Sequence, residues 1–401
     1  MLTRRWLTLF AVIATFGLLA AACGSDDDGD EPAASDDTAE ADEADAADEA
    51  DAADEADEAD EADEADEADA GDEADEGDET VELTQDGGRL QAVRDRGSLI
   101  CGGNDTLPGF GFVDDAGDFS GFDIDFCRVV AAGVLGDADA VEFVPLTAEA
   151  RFTALQSGEI DVLIRNTTWT ATRDGQEGAN FLFTTFFDGQ GVMVPAATGF
   201  TTLEDLADAN ICVLSGTTTE LNLTAVFNAR GIPFNPVVFE DNTQLRPAYE
   251  EGQCEGWTSD ASQLAAFKAT IEGEGGEDQF IMAEIISKEP LGPVVADGDT
   301  EWAQAVEWSV MAPVQAWEFG LDSGTIGSYD GDDPNILNFI GTDGFDPGLG
   351  LPPDFAVTIV SSVGNYEEIY NANIVPIGLS LAGSPNDLWT NGGLMYVPPY
   401  R

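Results

Sequence analysis

The sequence predicts an α/β protein of two lobes joined by a hinge, with further helices added to the first lobe. Three observations predict it. Between residues 99 and 164, short apolar runs alternate with helical runs, the order of a parallel sheet with right-handed crossovers. A similar alternation runs from 202 to 271. Two extended runs, a Gly-rich one at 183–195 and a Pro-containing one at 288–295, separate the alternations. Two crossing strands between α/β lobes make a hinged clamp.

Residues 1–23 read as a leader. Arg4 and Arg5 give a positive start, and the apolar run 7–19 is too short for a typical membrane span. Ala20-Ala21-Ala22-Cys23 then resembles a bacterial lipoprotein signal, in which Cys23 becomes the lipidated first residue. Ala20 stands where Leu is usual, and plain secretion with cleavage at the Ala run is the alternative. Residues 24–80 are an Ala-Asp-Glu tract that holds 31 acids between Asp26 and Glu79. Like charges repel at every helical spacing and nothing apolar larger than Ala is repeated for burial, so a hydrated tether is expected.

The folded part is expected in three pieces. Lobe 1 begins at 81–190, lobe 2 occupies 191–291, and 292–401 completes lobe 1 and adds C-terminal helices. In lobe 1 the pattern gives a helix at 90–96, strands at 99–102, 141–144 and 161–164, and helices at 122–134 and 148–157. In lobe 2 it gives helices at 202–207, 218–228, 244–252 and 262–271, and strands at 211–214, 237–239 and 256–259. A helix from Glu301 and further helices at 316–319, 335–340 and 355–372 follow.

Three stretches carry polar chemistry. The first is DVLIRNTTWTATR, residues 161–173. It starts as a buried strand and turns polar at the strand's carboxyl end, where open α/β sheets bind ligands. Asn166 and Thr168 offer oxygens to an ammonium, and Arg173 offers a two-pronged fork to a carboxylate. The second is VLSGTTTELNL, residues 213–223, a strand end, a Gly216 turn and a helix start capped by Ser215, Thr217 or Thr218. Such a helix start is an anion site. The third is Trp257-Thr258-Ser259-Asp260-Ala261, where Asp260 stands between strand and helix. Together they supply an anion cradle, an Arg and a lone carboxylate, the parts needed to hold a free amino acid.

Composition removes other classes. The formal net charge of -66 argues against nucleic acid, which needs Lys and Arg stripes. The absence of histidine removes Ser-His-Asp and Cys-His catalysis and most zinc sites. No metal and no cofactor are expected. With Cys23 lipidated, Cys101, Cys127, Cys212 and Cys254 remain, an even count in an exported chain, and three pairings are open. Pairing within lobes, Cys101 with Cys127 and Cys212 with Cys254, leaves the hinge free and is the expected set.

Several longer runs carry a resemblance. They are FDIDFCR at 122–128, RFTALQSG at 151–158, RNTTWT at 165–170, SGTTTELN at 215–222, ISKEPLGP at 286–293 and LWTNGGLMY at 388–396. From about residue 90 to 401 the chain resembles the general L-amino-acid-binding subunit of polar amino-acid ABC transporters, an extracytoplasmic solute-binding protein of the periplasmic-binding type II fold. The resemblance implies an L-amino acid held between the lobes and delivered to a membrane permease, with no catalysis. It places the α-carboxylate on Arg173 and the Gly216-Thr217-Thr218 turn. It places the α-ammonium on Asp260, Asn166 and Thr168. Side-chain selectivity would fall to the loop 103–112, with Leu107 and Phe110 in place of charged partners. The lipid anchor would hold the protein at the outer face of the cell membrane. A small lyase or a sensor domain on the same fold is the alternative; a lyase would need a second carboxylate or Lys with a shifted pKa in the cleft.

Overall fold

The computed structural model describes residues 88–401. The leader, Cys23 and the acidic tract lie outside the described residues. The first helix, α1 (Gly88–Arg96), buries Leu90 and Val93. Arg89 and Arg96 both pair with the buried Asp161 carboxylate, which also accepts from the Ile100 N–H at 2.7 Å. These bonds fix the helix to the start of the sheet.

Next come β1 (Leu99–Gly103), then a small antiparallel sheet of β2 (Thr106–Leu107), β3 (Gly111–Val113) and β4 (Phe119–Ser120). Helix α2 (Phe122–Leu135) is almost wholly buried, as its apolar run dictates. After β5 (Val141–Pro145), α3 (Arg151–Gln156) and β6 (Val162–Leu163), the chain forms α4 (Ala171–Gln176) and β7 (Ala179–Phe181). It then crosses through β8 (Phe186–Asp188) into β9 (Gln190–Pro195).

The second lobe holds β10 (Asn210–Leu214), α5 (Thr218–Arg230), β11 (Asn235–Phe239), α6 (Asn242–Glu250), β12 (Gly256–Asp260), α7 (Ala261–Gly273) and β13 (Gln279–Ile281). The chain returns through β14 (Glu289–Leu291) to β15 (Val294–Ala296). Helices α8 (Thr300–Glu318), α9 (Pro334–Phe339), α10 (Phe355–Ser362) and α11 (Tyr366–Asn373) follow.

The two large sheets run β5-β1-β6-β15-β7 and β11-β10-β12-β9-β13. Each has a parallel core and an antiparallel part: β15 opposes β6 and β7, and β9 opposes β12 and β13. The sheet is therefore mixed where the sequence suggested a parallel one. The reason is topological. Strands β9 and β15 arrive directly from the crossing strands without a crossover helix, so they need not run with their neighbours. The crossing strands themselves, β8 and β14, form an antiparallel ladder that pairs Asp188 with Glu289 and Phe186 with Leu291.

Three helical expectations change, and the first is the run 202–207, which forms only a short 3-10 turn, Leu203–Leu206. The run 316–319 is the end of α8, which continues through Pro313. The run 355–372 divides into α10 and α11. Gly364 sits at φ 117° between them, and Asn365 starts α11 with a capping box shared with Glu368. The Asn365 amide also donates to the Leu321 carbonyl at 2.8 Å, so the new start is tied to the end of α8. The C-terminal helices pack on α2, with Tyr366 and Tyr370 edge-on to Phe122 at 5.8 and 6.4 Å. Among the described residues no helix is long and apolar enough to cross a membrane.

Disulfides join Cys101 with Cys127 and Cys212 with Cys254, as expected. The first ties β1 to α2; the second ties β10 to the turn before β12. The sequence separations are 26 and 42 residues. Loops of that size correspond to roughly 3–4 kcal/mol each in the loop-entropy description. Replacing either pair with Ala should lower unfolding stability by about that amount and leave the hinge intact, as measured by urea unfolding of each variant. A variant pair as stable as the parent would remove the crosslinks from the account of stability.

Candidate functional site

The cleft lies between the carboxyl end of β6 and the N-terminal ends of α5 and α7. After β6 the backbone turns sharply at Asn166, whose φ of 32° is in the left-handed region. Asn tolerates that region better than most residues. The turn is held from below, because Asp123 at the start of α2 accepts from the Asn166 N–H at 2.6 Å. The turn aims the Asn166 side chain across the cleft, where Nδ2 donates to Asp260 Oδ2 at 3.1 Å. Asp260 ends β12 and precedes α7, and its carboxylate caps nothing in its own helix. It is free to face the first lobe.

Other contacts cross between the lobes. The Thr168 and Thr218 hydroxyls lie 3.4 Å apart. The Asn242 amide reaches the Thr106 hydroxyl at 3.3 Å. Arg151 and Arg173 each donate to the Gly216 carbonyl at 3.5 Å. Gly216 has φ 68°, and a Cβ there would lie 3.0 Å from the Glu149 Cα of the opposite lobe. Glycine therefore serves both the turn and the close approach. Thr217 caps α5 by accepting from the Glu220 N–H at 3.1 Å.

The remaining cavity is lined by Arg151, Arg165, Asn166, Thr168, Thr217, Thr218 and Asp260, among others. Its electrostatics are those of charges without enough partners. Arg151 is 3% exposed and its Nε has no hydrogen-bond partner. Its guanidinium and that of Arg173 both lie over the Phe152 ring, at 5.3 and 5.4 Å. Burial, then the neighbouring Arg173 and Arg165, hold Arg151 well below the usual arginine range. Burial also lowers Arg173, with Glu289 and Asp260 opposing the shift, and brings Arg165 down to about 10. Burial pushes the Asp260 carboxyl well up, and the nearby Asp188 and Glu289 push it further. Such a site gains from an occupant that brings both signs of charge.

Residues 99–312 match the family described as bacterial extracellular solute-binding proteins, family 3. The chain belongs to this family. It is 44% identical over 317 residues to the glutamate/glutamine/aspartate/asparagine-binding protein BztA of Rhodobacter capsulatus, covering 78% of this chain and 93% of the relative. It is 43% identical to the general L-amino acid-binding periplasmic protein AapJ of Rhizobium johnstonii, covering 78% and 92%. Among solved structures, a periplasmic binding protein of an ABC transporter from Brucella ovis with glutathione bound superposes with a TM-score of 0.75 at 41% identity. That match covers 78% of this chain and 99% of the other. The fold is the periplasmic-binding type II fold, with extra C-terminal helices on the first lobe.

Of the residues singled out in this solute-binding protein, Asn166, Thr168, Thr217, Thr218 and Asp260 line the cavity. Gly216 and Arg173 are not in its lining; Arg173 Nη1 donates to the Thr168 carbonyl at 2.9 Å and Nη2 to the Gly216 carbonyl at 3.5 Å. Leu107 and Phe110 do not line it, which corrects the expectation that they contact ligand. Both have no exposure. Phe110 packs edge-on against Phe186 and Phe122, at 5.1 and 6.0 Å, and belongs to the core. The preceding residues, Asn104, Asp105 and Thr106, line a neighbouring cavity together with Asp241, Asn242 and Thr243.

Arg151 and Arg165 also line the cavity, and Asp123 braces the Asn166 turn beside it; Arg165 stands in the polar run after the strand, whereas Arg151 and Asp123 are not among the expected residues. The available signal was Arg151 opening RFTALQSG, a charge on the face that also buries Phe152 and Leu155. Asp123 was equally visible, in the first turn of an apolar helix.

Asp123 yields a pH test. Burial raises its carboxyl from the ordinary 3.8 to about 7, against the Asn166 N–H and Arg165, which lower it. A carboxyl raised in the folded state favours the fold when protonated, so that stability is lost as pH rises from about 4 to about 7. Asp123→Asn keeps an acceptor for the Asn166 N–H and removes the titration. It should match the parent in melting temperature near pH 4 and exceed it near pH 8, in thermal denaturation without ligand. Parallel curves for the two proteins would assign the slope elsewhere.

Proposed function

We propose that this protein captures free L-amino acids outside the cytoplasm and delivers them to the permease of an ABC transporter. The observation that carries the reading is the meeting of Asp260 from one lobe with Asn166 from the other at 3.1 Å, beside the buried arginines. An amino acid has an ammonium and a carboxylate at fixed separation, whatever its side chain. Asp260, Asn166 and Thr168 suit the ammonium. Arg173 and the Gly216-Thr217-Thr218 turn suit the carboxylate, through charge-assisted bonds. The names of BztA and AapJ support the amino-acid class.

Arg151 adds a third point of attachment. Its unpartnered Nε suits an oxygen of a ligand side chain, and carboxylates and carboxamides both carry one. That is consistent with a range that includes acidic and amide amino acids. The reading is of binding without turnover.

Calorimetry with glutamate, glutamine, alanine and leucine tests these roles, with product analysis of the same samples. Asp260→Ala and Arg173→Ala should each weaken every ligand, by roughly 2–5 kcal/mol, because one charge is left buried without its partner. Arg151→Met should weaken glutamate and glutamine more than alanine and leucine. An Asp260→Ala protein within threefold of the parent would refute the ammonium role, and any new product would refute binding without turnover.

The anchoring is also proposed. Cys23 would carry lipid, and residues 24–80 would tether the binding lobes, with a reach of roughly 40 Å for a neutral coil and more when charged. Cys23→Ala should move the protein from the membrane fraction to the soluble extracytoplasmic fraction. Retention on salt-washed membranes would refute the anchor.

A further inference from the structure

The ISKEPLGP run contains the hinge strand β14, yet none of its residues lines the cavity. Its Glu289 is 1% exposed and heavily bonded. The carboxylate accepts from the Thr218 hydroxyl at 2.8 Å, the Asn222 amide at 2.9 Å and the Ser287 hydroxyl. Thr218 and Asn222 are in the first turns of α5. Directly opposite on β8 is Asp188. It accepts from the Gly189 N–H at 2.8 Å and from the Ser262 N–H at 3.3 Å, and Ser262 is in the first turn of α7.

Each hinge strand therefore grips the N-terminal end of one second-lobe helix. Those two ends carry the groups that face the cleft: Thr217 and Thr218 on α5, and Asp260 just ahead of α7. The arrangement opposes local stability. Like charges directly opposite in an antiparallel ladder repel, and burial raises the cost. Burial and then Glu289 act together to push the Asp188 carboxyl up to about 6. A pair of β-branched residues would serve the ladder better.

We infer that Asp188 and Glu289 are positioning residues that gear the hinge to both ligand-holding helix ends, so that twisting of β8 against β14 carries α5 and α7 together. The pair also lends negative field to the site, since both carboxylates act on Asp260 and Glu289 acts on Arg173. This inference rests on the amino-acid reading above. It adds that affinity depends on groups outside ligand contact and does so equally for every amino acid.

The test uses Glu289→Ala, Glu289→Gln and Asn222→Ala in the full chain, titrated with glutamate, glutamine, alanine and leucine and followed by thermal denaturation. Glu289→Ala should weaken all ligands together by about tenfold, the scale of a lost charge-assisted hydrogen bond. Glu289→Gln keeps one acceptor for Thr218 and should fall between it and the parent. Asn222→Ala should weaken all ligands by about threefold, and it decides the matter if the Glu289 variants fail to fold. Variants that melt earlier but keep every affinity within twofold would make the Glu289 carboxylate merely structural and overturn the inference. A parent protein that binds none of the amino acids would instead refute the amino-acid reading, and this inference with it.

Discussion

Charges of both signs are buried in one closed cleft, and the architecture around it follows from that constraint. An isolated buried charge costs several kcal/mol, which mutual attraction repays only with good geometry and further hydrogen bonds. Here Asp260 has a single side-chain amide, from Asn166, and Arg151 has an Nε with nothing to donate to. The backbone carbonyl of Gly216 takes the arginine N–H groups from across the cleft. The closed form is held together by neutral partners: an amide on Asp260 and a carbonyl on the arginines. An occupant with true charges at those places would replace weak partners with strong ones.

The rest of the molecule keeps those groups in register across a thin connection. Both disulfides lie within lobes, so neither restrains the hinge. The hinge is a short ladder whose register places Asp188 against Glu289. The first lobe is stiffened by α2 and the C-terminal helices, where Tyr366 reaches back to the Thr185 carbonyl at 2.9 Å, just before β8. Rigid lobes with polar faces and a thin connection are what a capture-and-release cycle requires.

Much of this was legible in the sequence because the signals are local. The strand-to-polar switch at Asp161–Arg173, the Gly216 turn and the Asp260 position each announce a strand end or helix start. The within-lobe disulfides followed from lobe membership alone. The failures come from contacts distant in sequence. Leu107 and Phe110 look like a ligand platform in a loop, but the aromatic cluster with Phe186 and Phe122 claims Phe110, and Leu107 is equally buried. Arg151 opens the RFTALQSG run, and its burial depends on the packing of α3, which is distant in sequence from its partners. The break between α10 and α11 depends on Gly364 and on an amide bond from Asn365 to Leu321, which periodicity does not register.

On the proposed reading, both charges of a zwitterion are needed, each held by groups from both lobes. The most direct measurement is a calorimetric titration of the parent protein with L-glutamine and two truncated analogues. One analogue lacks only the α-ammonium, and the other lacks only the α-carboxylate. Each analogue should bind at least about a hundredfold more weakly than glutamine, since each leaves a buried charge unpaired. An analogue that bound within threefold of glutamine would contradict it.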